Sequence, residues 1–229
     1  MKECVILLSG GLDSAVSAVI ARKRFASGLC LFIDYGQKAV LPEKQAVRKI
    51  SAFLEMPLKI VKLPFLAKMT RTALVNRTEQ IPELTMSLLG RHSTLEKSVR
   101  AVWVPNRNGL FINIAAAYAE TLGYGHIITG FNKEEAVTFP DNSAPFVKAI
   151  NKSLSYSTLS KAEVLSFTQN LSKDEIVRLA IKTGAPLELI WSCYGSGKRH
   201  CMKCESCMRL KRALARNDKW EWFRKHRGI

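Results

Sequence analysis

The chain has 229 residues and an apolar content of 47%, enough for the core of one α/β domain with an appendage or of two small domains. No apolar run reaches the ~20 residues that a bilayer span requires, and the start of the chain lacks the form of a secretory signal, so we expect a cytoplasmic protein. Lys and Arg outnumber Asp and Glu by 35 to 19, a net charge of +16, which favours acidic partners and allows nucleic acid without requiring it.

A glycine turn near the start of the chain joins an apolar run, Cys4–Leu8, to a segment with the pattern of a helix, Ala15–Ala21. The turn, residues 9–14, has the sequence SGGLDS. Its glycines allow close approach of a ligand to the backbone, and N–H groups at the start of a helix bind anions. We therefore expect a phosphate site in which both serines donate hydrogen bonds and Asp13 helps to hold a cation.

The spacing of this turn differs from the two better-known glycine motifs. It has no lysine at the place that G-x-x-x-x-G-K-[ST] requires, and it lacks the third glycine of G-x-G-x-x-G. It resembles the S-G-G-x-D-S pyrophosphate loop of ATP pyrophosphatases, which split ATP into AMP and pyrophosphate while they adenylate an oxygen of the substrate. An ordinary Gly-Gly turn before a helix is the alternative.

Strand and helix patterns alternate along the next part of the chain, which predicts a doubly wound, mostly parallel α/β sheet. Further strands are predicted at 29–33, 58–63 and 125–130, and helices at 43–54, 110–122 and 144–155. Ser172 and Glu175 have the spacing of a capping box, which begins a helix at 176–183 that Gly184 ends.

The pattern weakens between Phe65 and Arg100, where Thr, Pro, Arg and Ser interrupt scattered apolar residues. We expect a long surface excursion there, acting as a lid or as part of an interface. The excursion belongs to a nucleotide-binding domain over residues 1–185, and residues 186–229 form a small helical C-terminal segment.

Four of the six cysteines cluster in that segment as C-x7-C-x2-C-x2-C: Cys193, Cys201, Cys204 and Cys207. Four thiolates at this spacing can surround a structural Zn²⁺, with basic neighbours to offset their charge. An iron–sulfur cluster is the rival interpretation. Cys4 and Cys30 lie in apolar runs and are expected to be buried as small hydrophobic side chains.

Basic residues are concentrated in the last thirty or so positions and are interleaved with Trp220, Trp222 and Phe223. Aromatic rings beside cations can stack on nucleic-acid bases. The same three residues would also form the apolar face of a C-terminal helix that packs on the core.

Several motifs taken together resemble the 7-cyano-7-deazaguanine synthase family over residues 3 to about 215. They are SGGLDS, the turn at 34–37, VPNRN at 104–108, Thr129-Gly130, Pro140-Asp141 and the four cysteines. The resemblance implies an adenine nucleotide alpha hydrolase-like fold, one structural zinc and a homodimer. It implies an ATP-dependent ligase of the queuosine pathway, which adenylates 7-carboxy-7-deazaguanine, forms the amide with ammonia and dehydrates the amide to the nitrile with a second ATP.

The ligands are expected at the carboxyl ends of the strands, which lie at one edge of a parallel sheet. ATP, with Mg²⁺, is assigned to Leu8, Ser9, Gly10, Gly11, Leu12, Asp13, Ser14, Asp34, Gln37 and Gly130. The deazapurine acid is assigned to Arg107, Asn108, Thr129, Glu135, Phe139 and Asp141. Catalytic roles are assigned to Ser14, Asp13 and Arg107.

The substrate segment departs from the family pattern, which continues Pro-Asp with Cys-Arg. This chain has Asn142 and Ser143 there, and a serine cannot replace the forked donor of an arginine. This departure leaves open a divergent paralogue that activates a related acid for amide formation or conjugation. The basic C-terminal residues with their interleaved aromatic rings leave open a tRNA-modifying ATP pyrophosphatase. A DNA-binding zinc module would leave the pyrophosphate loop unexplained.

Overall fold

The computed structural model describes residues 3–89 and 99–229, and its centre is a parallel sheet of five strands in the order β3-β2-β1-β4-β5. The strands are β1 Glu3–Leu7, β2 Ser27–Asp34, β3 Leu58–Lys62, β4 His126–Thr129 and β5 Glu163–Ser166. The order changes direction at β1, as in doubly wound sheets, which confirms the predicted fold class.

Helices alternate with the strands along the chain. They are α1 Leu12–Arg24, α2 Val40–Phe53, α3 Pro64–Met69, α4 Arg107–Leu122, α5 Lys133–Ala136, α6 Ala144–Ser157, α7 Lys173–Thr183, α8 Glu205–Ala215 and α9 Trp220–Arg227. Within the described ranges, none of these helices has the length and apolarity that crossing a membrane would take.

Each face of the sheet buries its own hydrophobic core because successive strand residues point to opposite faces. On β1, Ile6 belongs to the core formed with α1, α2, α7, α8 and α9, whereas Val5 belongs to the core formed with α4 and α6. The helices therefore form a layer on either side of the sheet, and the loops after the strands are left at one edge.

The sequence patterns located most of these elements. The capping box at α7 is present with both of its hydrogen bonds, and Gly184 ends the helix with a φ of +72°. Strand β5 was missed because its four residues, EVLS, carry no clear alternation.

The segment from Phe65 to Arg100 was expected to be a surface excursion, and its described part lies largely at the surface, where a few buried residues anchor it. Leu66, Leu74 and Val75 are buried in a small core with Tyr35. Leu84 is also buried, and its N–H donates to the carbonyl of Lys203 at 2.7 Å. Residues 90–98 lie outside the described residues, so the lid or interface role stays a prediction.

The C-terminal helices share the core of the sheet. Leu210, Leu214 and Phe223 are buried in the same cluster as Ile6, and Trp220 and Trp222 pack against it half-buried. The C-terminal aromatic residues therefore form the packing face of α9. The boundary between residues 185 and 186 stays a prediction.

Candidate active site

The glycine turn between β1 and α1 is held by hydrogen bonds around Ser14, which is buried. Its hydroxyl donates to the carbonyl of Gly11 at 3.1 Å, accepts from the N–H of Ser9 at 3.3 Å and lies 3.0 Å from the Ser9 hydroxyl. Ser14 thus organises the loop from inside, while Ser9 is exposed. Of the two serines, Ser9 is the one whose side chain is open to a ligand.

Two other segments of the chain lie against this turn. Gly10 has a φ of +85°, in the region that favours glycine, and its carbonyl accepts from the N–H of Trp191 at 2.8 Å. Gly130, directly after β4, lies against the backbone of Asp13 and Ser14 with no room for a side chain between them.

Lys173 is the first residue of α7, and it brings together two carboxylates from different parts of the chain. Its ammonium group pairs with Asp13 of the glycine turn and lies 2.7 Å from Glu135 Oε1 of α5. The other oxygen of Asp13, Oδ1, is buried and makes no hydrogen bond within the described residues. The two carboxylates therefore converge on one cation, and one oxygen is left without a partner.

The charges of this group depend on each other. Burial raises the pKa of Asp13 to about 6, although the charge of Lys173 opposes the shift. Burial also acts on Glu135 and Lys173, but the attraction between Lys173 and the carboxylates of Asp13 and Glu135 outweighs it, so the pKa of Glu135 is lowered and that of Lys173 is raised. Lys173 therefore stays positively charged.

A cavity of about 260 Å³ opens between the glycine turn, the end of β2 and the start of α4. From α4, Arg107 donates to the hydroxyl of Tyr35 at 3.2 Å. From α2, Glu43 accepts from Gln37 at 2.7 Å, and burial raises the pKa of Glu43 to about 7. The cavity thus combines a guanidinium group with a carboxylate that is easily protonated.

Most of the sequence-predicted site residues line this cavity. They are Leu8, Ser9, Gly11, Leu12, Asp13, Ser14, Gln37, Arg107, Asn108, Thr129, Gly130, Glu135 and Phe139.

Three predicted residues do not line the cavity. Gly10 faces Ala46 of α2 on the other side of the turn. Asp34 pairs with Lys44 at 2.6 Å. Asp141 is half-buried close to the charge of Arg107, and burial raises its pKa.

The cavity is also lined by three residues that the sequence pattern did not indicate as site residues: Lys173, Glu43 and Tyr35. Lys173 was part of the capping-box pattern and was interpreted only as the start of a helix. Its position directly after the cap, at the predicted ligand edge of the sheet, was the signal available.

The residues that replace the Cys-Arg of the family pattern have separate places. Asn142 is buried in the cavity wall, and its carbonyl accepts from Gln169 at 2.7 Å. Ser143 caps α6, since its hydroxyl accepts from the N–H of Phe146 at 3.2 Å.

The four clustered cysteines form a candidate metal site, because their sulfur atoms all lie within 4.8 Å of one another. A tetrahedral zinc with Zn–S bonds of about 2.3 Å requires sulfur atoms about 3.8 Å apart, and the Cys201 and Cys207 sulfurs lie 3.9 Å apart. Backbone N–H groups donate to Cys193 and Cys201, which favours their thiolate forms. The donor set therefore fits a structural metal ion.

The cysteine segment also contributes to the cavity, whose wall includes Trp191, Cys193 and Tyr194. The N–H of the Trp191 side chain donates to the carbonyl of Cys193 at 2.9 Å. A metal held by the cysteines would therefore fix one wall of the cavity.

Comparisons with known proteins agree with these features. The family model described as "Queuosine biosynthesis protein QueC" matches residues 3–218. The chain is 52% identical to the 7-cyano-7-deazaguanine synthase of Carboxydothermus hydrogenoformans, over 95% of this chain and 100% of the relative. It is 50% identical to the synthase of Pelotomaculum thermopropionicum, over 91% and 95% of the two chains.

Among solved structures, a 4-thiouridine synthetase in complex with RNA and ATP is similar in fold, with a TM-score of 0.50 and 19% identity. The similarity covers 98% of this chain and 52% of that one. At this identity the likeness concerns the fold alone. The family match and the identity of the relatives over almost the whole chain lead to one conclusion: the chain belongs to the queuosine biosynthesis QueC family, whose members include 7-cyano-7-deazaguanine synthases.

Proposed function

We propose that the protein is an ATP-dependent ligase that converts 7-carboxy-7-deazaguanine and ammonia to 7-cyano-7-deazaguanine through an adenylated carboxylate and an amide. The convergence of Asp13, Glu135 and Lys173 beside the glycine turn is the observation that carries this proposal. Adenylation by ATP needs a loop that binds the phosphates and positive charge beside it. The glycine turn and the ammonium group of Lys173 would supply them.

The phosphates of ATP would lie on the turn, where the N–H groups at the start of α1 and the exposed Ser9 hydroxyl can donate to them. Lys173 would add a positive charge as pyrophosphate leaves. In the free protein this charge is neutralised by the two carboxylates. The phosphates of bound ATP would compete with these carboxylates for the ammonium group.

Asp13 and Glu135 would also hold Mg²⁺. Two carboxylates that converge on one point, with the buried Asp13 Oδ1 free to accept a ligand, suit an oxygen-coordinated cation. When bound, Mg²⁺ would neutralise phosphate charge.

The acid would lie between the phosphate loop and Arg107, whose guanidinium group can hold a carboxylate by two parallel hydrogen bonds. Phe139 and Asn142 in the cavity wall would contact the flat heterocycle. Ammonia would attack the adenylated carbon and displace AMP. The resulting amide oxygen would then be activated by a second ATP and lost with AMP, which leaves the nitrile.

Zinc is the metal we propose for the four cysteines. A complete set of four thiolates leaves no open position on the zinc, so the site would serve a structural role. The homodimer that the family resemblance implies stays a prediction, which sedimentation of the purified protein would test.

The proposal is tested by incubating the protein with ATP, Mg²⁺, ammonium and a panel of deazapurine acids, and following AMP and product mass. AMP formed only with the 7-carboxy acid, together with the mass of the nitrile, would support it. AMP formed only with another acid would replace it with the divergent paralogue.

A further inference from the structure

A second concave site lies behind the wall of the cavity. It is a groove of about 380 Å³ between α2, the segment just before Cys201 and the end of α9. Its lining residues are Leu41, Pro42, Gln45, Ala46, Lys49, Leu189, Trp191, Ser196, Gly197, Lys198, His226 and Arg227. Trp191 is shared by the two sites.

The lining of the groove is basic and contains no carboxylate among the described residues. Lys49 and Lys198 are exposed, and neither forms an ion pair in the described part of the chain. With Arg227 they bring three cationic side chains to one concave surface. Such a surface attracts anions, since field lines of one sign are focused in a cleft with apolar walls.

Arg227 is held over Trp191 and has unused donor capacity. Its guanidinium carbon lies 5.7 Å from the centre of the Trp191 ring, and its Nη1 donates to the carbonyl of Glu188 at 3.0 Å. Its Nε is buried and makes no hydrogen bond within residues 3–89 and 99–229. A buried donor on a charged group is costly when it lacks an acceptor, and an anion in the groove would balance part of the positive charge of the same guanidinium group.

Two features thus favour one kind of ligand: the unpaired lysines and a guanidinium group held in place over Trp191. Arginine and lysine together are the usual donors to phosphate oxygens. We propose that this groove binds a phosphate group, carried either by a free phosphorylated molecule or by the backbone of a nucleic-acid strand. The groove shares Trp191 with the cavity, and the proposal does not depend on the proposed reaction.

The test compares two double variants that each remove two exposed positive charges. Lys49→Gln/Lys198→Gln changes the groove, and Lys152→Gln/Lys182→Gln changes α6 and α7 away from it. Both variants leave every residue of the cavity in place. We therefore expect them to fold and turn over equally well, which is checked first. Pyrophosphate binding is measured by calorimetry, and binding of a labelled short single-stranded RNA by fluorescence anisotropy.

If the groove binds free phosphates, the groove variant takes up one pyrophosphate fewer than the control variant. If it binds a nucleic-acid backbone, the groove variant loses about tenfold in RNA affinity. Its slope of log affinity against log salt then falls by about 1.4, or ~0.7 for each lysine removed. Equal behaviour of the two variants with both probes, including no binding by either, would overturn the proposal.

Discussion

A Cβ atom at Gly130 would lie 2.5 Å from the backbone nitrogen of Ser14, so the end of β4 is in direct backbone contact with the glycine turn. The neighbouring atoms of the turn are almost as close, with the Ser14 Cα at 2.7 Å and the Asp13 carbonyl carbon at 2.8 Å. Backbone atoms cannot move aside as the end of a flexible side chain can. A side chain at position 130 would therefore displace the turn itself.

We expect Gly130→Ala to reduce turnover by about 100-fold or more, because small displacements of reacting groups are costly in rate. Gly125→Ala is the matched control, since a Cβ at Gly125 would meet no atom within 4 Å. Steady-state AMP release is the measurement. Similar activity of the two variants would show that the contact between β4 and the turn is unimportant.

Lys173→Gln should leave Asp13 and Glu135 facing each other without a cation. We expect turnover to fall by about two orders of magnitude, in the range for loss of one oriented hydrogen-bond donor to the charge that develops in the transition state. The exposed Lys182→Gln on the same helix is the control. Unchanged kcat in Lys173→Gln would exclude a role of the lysine in catalysis.

Much of the fold and part of the site were predictable from the sequence. The glycine turn, the strand ends at Thr129-Gly130 and the cysteine spacing are local signals, and the structure places each of them at the cavity or the metal site. The position of Lys173 directly after the helix cap placed it at the ligand edge of the sheet. Its pairing with Asp13 and Glu135 was not predictable, because these residues are distant in sequence and meet only when the sheet forms.

The position of Asp34 illustrates a related limit. Its place at the end of β2 suggested a ligand contact, but its carboxylate pairs with Lys44 of α2. Sequence position locates a residue at the correct edge of the sheet, whereas the direction of its side chain depends on partners from neighbouring elements. The same reason explains why Glu43, which lies inside a helical pattern, was not recognised as part of the cavity wall.

Loss of one cysteine ligand should remove the metal. We expect about one zinc per chain in the purified protein, and Cys204→Ser should lose both zinc and stability, since metal binding contributes directly to folding free energy at such sites. Elemental analysis and thermal unfolding are the measurements. Cys30→Ala, a buried cysteine far from the cluster in sequence, should destabilise the protein but keep its zinc. Iron and sulfide in place of zinc would contradict the proposed metal.

The free energy of unfolding should depend on pH through Glu43. Its pKa is raised from 4.5 to about 7 in the folded protein, so the folded state binds the proton more tightly than the unfolded state. The stability that this preference contributes is fully present below pH ~4.5 and is lost as the pH rises through ~7.

Glu43→Gln should remove this part of the pH dependence. Between pH ~5.5 and ~8 we expect the wild type to lose about 1–2 kcal/mol more than the variant does. Urea unfolding at both pH values is the measurement, and Glu55→Gln, at an exposed position, is the control. Parallel curves for the wild type and Glu43→Gln would show that Glu43 is not the responsible group.

In the proposed reaction both oxygens of the substrate carboxylate leave with AMP, one in each ATP-dependent step. The most direct test uses 7-carboxy-7-deazaguanine with ¹⁸O in both carboxylate positions, together with ATP, Mg²⁺ and ammonium, and analyses the products by mass spectrometry. We expect two AMP molecules for each nitrile, each carrying one ¹⁸O atom. Unlabelled AMP, or ADP as the nucleotide product, would contradict adenylation of the carboxylate and of the amide.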